Sequence, residues 1–139
     1  MSTLFGQEHV DRYRATDGEE GHIWLEGSTI LLLTTTGRRT GKETTTPLIY
    51  QPDRENLVIV ASKGGAAKHP GWFLNLEKNP EVGVQILGDK FRARARVAEG
   101  EERERLWKLM NEAWPHYEEY QVKTDRKIPI VVLERLDMS

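Results

Sequence analysis

The chain has 139 residues, 37% hydrophobic and 30% charged, with a formal net charge of −2 and no cysteine. That length supports one domain with one sizeable core, and near-balanced charge excludes a wholesale nucleic-acid or membrane footprint. The lack of cysteine excludes disulfides and thiol nucleophiles, the scattered His9, His22, His69 and His116 offer no zinc spacing, and no apolar run is long enough to span a membrane or serve as a signal peptide.

Residues 1–27 form a polar, glycine-dotted segment with a helical pattern around Gln7 to Arg14 and a loop at Asp17 to Gly21, ahead of a single domain at residues 28–139. A buried-type strand is expected over 28–36, around Ile30-Leu31-Leu32-Leu33, and a second over 45–51. Pro52 to Asn56 reads as a turn into a strand at 57–62. Pro70 to Lys78 has a proline at its first turn and stops at Asn79-Pro80, which predicts a helix. Strands at 82–87 and 90–98 flank Gly88-Asp89, a type II′ hairpin signal. In the second of these, Phe91, Ala93, Ala95 and Val97 alternate with Arg92, Arg94 and Arg96. A helix over 101–112 carries Leu106, Leu109 and Met110 at helical spacing. The last strand, 128–133, contains Pro129, a mark of a strand start or an edge. Six strands and two helices, largely antiparallel, predict an α+β, mainly β fold: a small barrel or curled sheet.

Two loops concentrate the chemistry. Thr34 to Pro47 places Arg38, Arg39 and Lys42 beside Gly37 and Gly41, with threonines on both sides. Glycines free the backbone to present its amides, and hydroxyls add donors for phosphate oxygens. It is not a Walker loop, because the glycines are one residue too close and a strand, not a helix, follows. Ser62 to Leu76 is a second cationic loop, with Lys63, Lys68 and a glycine pair, running into a helix start that favours an anion. Trp72 offers a flat ring, and Asn75 lies within one turn of it. Together the loops describe a groove for an elongated anionic ligand with a planar part, either a flavin-like nucleotide or a short single strand of nucleic acid.

The segments TTTGRRTGKETTTPL, VIVASKGGAAKHPGWFLNLEKNPEV and WPHYEEYQVKTDRKIPIVVLE resemble the deazaflavin-dependent nitroreductases and F420H2-dependent quinone reductases of actinobacteria, in order from about Ile30 to Leu136. The resemblance implies a split β-barrel like that of flavin-mononucleotide-binding oxidoreductases, holding coenzyme F420. It assigns Arg38, Arg39 and Thr40 to the coenzyme's phosphate and acidic tail, and Thr44, Thr46 and Pro47 to the strand beside it. Val60, Ala61, Ser62 and Lys63 match the segment passing the deazaflavin ring. Gly71, Trp72 and Asn75 match the helix start closing over the coenzyme, and Tyr117 and Tyr120 the tyrosines on the substrate side. Departures from the family pattern fall at Thr44, Thr46, Ile49 and Trp114.

The resemblance implies hydride transfer from reduced F420 to a quinone, nitroaromatic or activated enone, without a metal. Negative charge developing on the acceptor oxygen needs a donor, for which Ser62 and Tyr117 are candidates. A flavin-mononucleotide enzyme and a nucleic-acid-binding barrel using the arginine stripe are the alternatives, although alternating arginines on a strand face are usually solvated or paired. A cytoplasmic monomer or homodimer is expected, peripheral to the membrane where the acceptor is a lipid quinone, with no nucleic-acid partner.

Overall fold

A computed structural model of the chain describes residues 4–136. Among them are four helices, α1 (Gly6–Thr16), α2 (Gly71–Lys78), α3 (Gly100–Ala113) and α4 (His116–Val122). The seven strands are β1 (Ile30–Thr36), β2 (Glu43–Ile49), β3 (Gln51–Asp53), β4 (Asn56–Val60), β5 (Glu81–Ile86), β6 (Asp89–Val97) and β7 (Ile130–Arg135). They form one antiparallel sheet in the order β2-β1-β5-β6-β7-β4-β3. The chain steps from β2, first in that order, through Tyr50 to β3, last in it. That step curls the sheet on itself, while the outer edge of β2 stays unpaired among the described residues. The barrel is split there.

The inner face holds Leu31, Leu33, Ile59, Val131 and Leu133, each at most 1% exposed, with Trp72, Phe73 and Leu76 of α2 as a plug. Each such side chain contributes about 1.5–3 kcal/mol of burial. The outer face is covered twice. Leu106 and Met110 of α3 pack on Val58, Val60, Ile130 and Val132, and Val10 and Tyr13 of α1 pack on Ile30 and Leu32. Double coverage explains the unbroken apolar runs in β1, β4 and β7, where a half-buried strand would alternate.

Several expectations are corrected. Gln51–Asp53 is a short strand rather than part of a turn, and α4 is a helix that the residues around Pro115 did not announce. The β5–β6 hairpin turns at Leu87-Gly88, because Ile86 pairs with Asp89 and Leu87 takes the positive φ of 55°. Tyr13 offsets that strain, accepting the Leu87 amide at 2.8 Å on its hydroxyl. Pro129 precedes β7, which is a central strand and not an edge. Within the arginine stripe, Arg92 pairs with Glu81 at 3.1 Å, and Arg96 with Glu102 at 2.5 Å and Glu134 at 3.2 Å.

Candidate functional site

A cavity of about 260 Å³ opens at the split, between the N-terminal end of α1 and the start of α4. Pro47 and Ile49 of β2 form its floor with Val60, the last residue of β4, and Ser62 just beyond. Tyr117 and Tyr120 of α4 form one side. Burial, with Tyr120 adding to it, pushes the Tyr117 hydroxyl's pKa up, so the group keeps its proton. Among the described residues this hydroxyl has no protein partner, and no sealed side-chain polar atom lacks one. Tyr117 thus lines the cavity with a protonated hydroxyl that is free to donate.

Tryptophans close the next wall. Trp114 stacks on Trp24 with centroids 5.9 Å apart, and its indole N–H donates to the Tyr120 hydroxyl at 3.4 Å. The Trp24 indole donates to the Leu4 carbonyl at 2.8 Å. His116 latches this wall from outside, bonding Glu26 at 2.8 Å and Glu119 at 2.7 Å. Glu26 first, then Glu119, raises the imidazole's pKa. The far end of the cavity belongs to α1. His9 is 1% exposed there, with its Nε2 at 2.8 Å from the Gly21 carbonyl. A carbonyl only accepts, so Nε2 carries the proton.

The loop after β4 is held from beneath by Arg126. Its guanidinium donates to the carbonyls of Ser62 at 2.5 Å, Ala66 at 2.7 Å and Ala61 at 3.1 Å, and meets His69 Nδ1 at 3.1 Å. Burial lowers the pKa of this guanidinium, whose positive charge is met by these dipoles. Gly65, with φ of 83°, presses on α4 so closely that a Cβ would stand 2.7 Å from the Tyr120 carbonyl oxygen. Lys63 projects from this loop, exposed, beside the cavity residues Ser62 and Gly64.

At the other end of β2 the basic loop docks on α2. The Arg38 guanidinium donates to Asn75 Oδ1 at 2.9 Å, its backbone N–H reaches the same oxygen at 3.2 Å, and Asn75 Nδ2 donates to Thr35 at 3.2 Å. Arg38 also reaches the Gly71 carbonyl at 3.5 Å. Arg39 and Thr40 stand exposed at the tip.

The fold thus gathers Pro47, Val60, Ser62, Tyr117 and Tyr120 around one cavity, and Arg38, Gly71 and Asn75 into one hydrogen-bonded cluster. Thr44 is exposed and meets Thr35 at 3.3 Å, Thr46 is half-buried, and Ala61 is buried in the inner core. Trp72 is 9% exposed and stands edge-on to Phe73 with centroids 6.4 Å apart, inside the barrel rather than on the cavity wall. Sequence reasoning missed His9, Trp24 and Arg126. His9, Val10 and Tyr13 share one buried helix face, a periodicity that was available to find it. Nothing local marks Arg126.

A sequence profile of the F420H(2)-dependent quinone reductases matches residues 5–135. The chain belongs to the F420H(2)-dependent quinone reductase family. An F420H(2)-dependent quinone reductase of Mycobacterium tuberculosis (strain H37Rv) is 40% identical over 130 residues, which cover 91% of this chain and 87% of that protein. The solved structure of an F420-H2 dependent reductase, FDR-A, superposes with a TM-score of 0.70 at 48% identity, over 76% of this chain and 93% of its own. Another solved relative, described as a domain-swapped dimer, is 43% identical with a TM-score of 0.73, over 92% and 96% of the two chains. A pyridoxamine 5′-phosphate oxidase-like protein from Listeria innocua, at 16% identity and a TM-score of 0.55 over 91% and 93%, shares the fold alone. The split-barrel expectation is borne out. Family membership names reduced F420 as the cofactor, and flavin mononucleotide is not needed to explain the site. No helix among the described residues is long and apolar enough to cross a membrane.

Proposed function

We propose that this protein reduces quinone-type acceptors with reduced coenzyme F420, held along the free edge of β2 from the tyrosine-walled cavity to the basic loop. One observation carries this: an edge strand joins a small aromatic cavity to exposed cations. A volume of about 260 Å³ suits a ring system, not a whole coenzyme with its tail. The tail therefore needs surface beyond the cavity. From Pro47 back to Thr44 the strand runs roughly 10 Å toward the arginines, and the fit is good.

Val60, Ala61, Ser62 and Lys63 would hold the ring, and Arg38, Arg39, Thr40, Thr44, Thr46 and Pro47 the phosphate and acidic tail. Gly71 and Asn75 act by docking the basic loop, and Trp72 by anchoring α2. When bound, reduced F420 supplies a hydride. The protein orients the acceptor and stabilises its oxygen as charge develops. The Tyr117 hydroxyl donates that hydrogen bond, and Ser62 is the second candidate. In a water-excluded site such a donor is worth far more than in water. Trp24 and Trp114 exclude water and keep a planar acceptor flat. Nitroaromatics and activated enones develop the same oxyanion and are accepted in proportion to their fit.

A monomer or homodimer belongs to the same reading. A cytoplasmic location, with peripheral membrane contact where the acceptor is a lipid quinone, belongs to the same proposal. Mixing the protein with reduced F420 and menadione tests it. Oxidised deazaflavin fluorescence should recover catalytically, and no turnover with any quinone, nitroaromatic or enone would reject the reading.

A further inference from the structure

We propose that His9 supplies, from Nδ1, the proton that completes reduction of the acceptor, acting from the α1 end of the cavity while Tyr117 addresses it from α4. The inference rests on the quinone-reductase reading above. His9 is 1% exposed, yet it lines the cavity. Its Nε2 is committed to the Gly21 carbonyl at 2.8 Å. Gly21 permits this approach, since at φ of 107° a Cβ there would lie 3.0 Å from His9 Cδ2. The Cδ2–Nε2 edge of the ring is therefore covered, which leaves the Nδ1–Cε1 edge for the cavity. Nδ1 has no partner among the described residues, and no sealed polar side-chain atom goes without one. Its remaining exposure is the cavity itself.

The surroundings give Nδ1 no charged partner. Glu8 and Asp11, its acidic neighbours on α1, are exposed. Tyr13, one turn on, spends its hydroxyl on the Ile30 carbonyl at 3.0 Å and the Leu87 amide at 2.8 Å. His22, beside Gly21, bonds the Tyr50 hydroxyl at 3.0 Å. From α4 the ionisable groups facing the cavity are Tyr117 and Tyr120. Of the side chains lining the cavity, only imidazole is of a type that ordinarily exchanges a proton between pH 5 and 8. Trp24 stands 6.1 Å from His9 and 5.9 Å from Trp114. Those two ring spacings separate the imidazole from α4, so a flat two-oxygen acceptor can meet a different polar group at each end.

The balance is simple. A quinone that gains a hydride has received two electrons and one proton, and one more proton makes the hydroquinone. The His9 Nδ1–H bond breaks, the acceptor O–H bond forms, and the neutral imidazole is recharged from solvent. Gly21 keeps the other proton on Nε2 throughout, so Nδ1 alone cycles.

The test compares wild type with His9→Gln, whose amide can still donate to Gly21 but cannot relay a proton. Menadione turnover should fall about 100-fold in the variant, within the usual range for a general acid, with coenzyme binding unchanged. Menadione is also titrated into protein without coenzyme and into protein loaded with oxidised coenzyme, read by quenching of Trp24 and Trp114. Wild type should bind several-fold tighter than His9→Gln, whose amide is committed to the Gly21 carbonyl and leaves no donor for the acceptor. A variant with wild-type turnover and wild-type menadione affinity would overturn the assignment. Nitrogen-15 NMR of the wild-type imidazole needs no variant to fold: the His9 Nδ1 resonance should move on adding menadione, and an unmoved one overturns it. If F420 fails to bind wild type, the coenzyme reading falls, while the titration without coenzyme still decides His9.

Discussion

The two ends of β2 offer a ligand different physics. Around the cavity, side chains are buried, stacked and held by second partners: Trp24 on Trp114, Tyr120 on Trp114, the 61–66 loop on Arg126. At the basic loop, Arg39 and Thr40 are exposed, and Arg38 is held by Asn75. Shape and exclusion of water dominate at the first end, and screened charge at the second. On the proposed function, the cavity would set which acceptor reacts and how fast, and the loop how tightly a charged coenzyme is held.

The largest effect should come from Arg126→Ala. Charged hydrogen bonds to three carbonyls vanish, and urea unfolding should show a loss of about 3 kcal/mol, together with weaker coenzyme binding as the loop loosens. Full stability would show that the loop holds itself. Next comes the double reversal Arg39→Glu with Lys63→Glu. It should weaken F420 binding about thirtyfold, roughly 2 kcal/mol, while leaving the melting temperature unchanged. The deficit should shrink in high salt, and a salt-independent deficit would place these residues among the desolvated contacts instead. Tyr117→Phe should lower menadione turnover about tenfold, since a hydrogen bond to developing charge is worth about 1.5–3 kcal/mol. Stability should be unaffected, because the lost hydroxyl has no protein partner. His116→Gln is the smallest. The raised imidazole pKa means its contribution is fully present below the ordinary value of about 6.5 and is lost as pH rises through the folded value. Melting curves of variant and wild type should differ at pH 6 and converge by pH 9. A constant gap would mean that the latch does not work through charge.

Much of this was legible in the residues, and what was not has identifiable causes. The apolar runs and alternation placed six of seven strands, and the motif pairs mark both ends of the proposed groove. Gln51–Asp53 escaped because three residues around a proline carry no periodicity. Trp72 was read as a ring platform because helical spacing cannot say which side of a sheet a helix occupies; the inner core claims it. Arg126 was invisible because its partners are backbone carbonyls, that of Ser62 lying 64 residues away, and the helical spacing of His9 marks a buried face but not its Gly21 carbonyl 12 residues on. A carbonyl has no signature in sequence.

The central claim, one ligand gripped by two different kinds of site, is tested most directly by comparing F420 with its tail-less deazaflavin riboside. Binding of each to wild type and to the Arg39→Glu protein would be followed by deazaflavin fluorescence at low and high salt. The riboside should bind about 100-fold more weakly than F420, indifferent to salt and to the Arg39 reversal, because only the cavity holds it. Equal affinities for the two ligands, or a riboside as salt-sensitive as F420, would contradict the division of the groove.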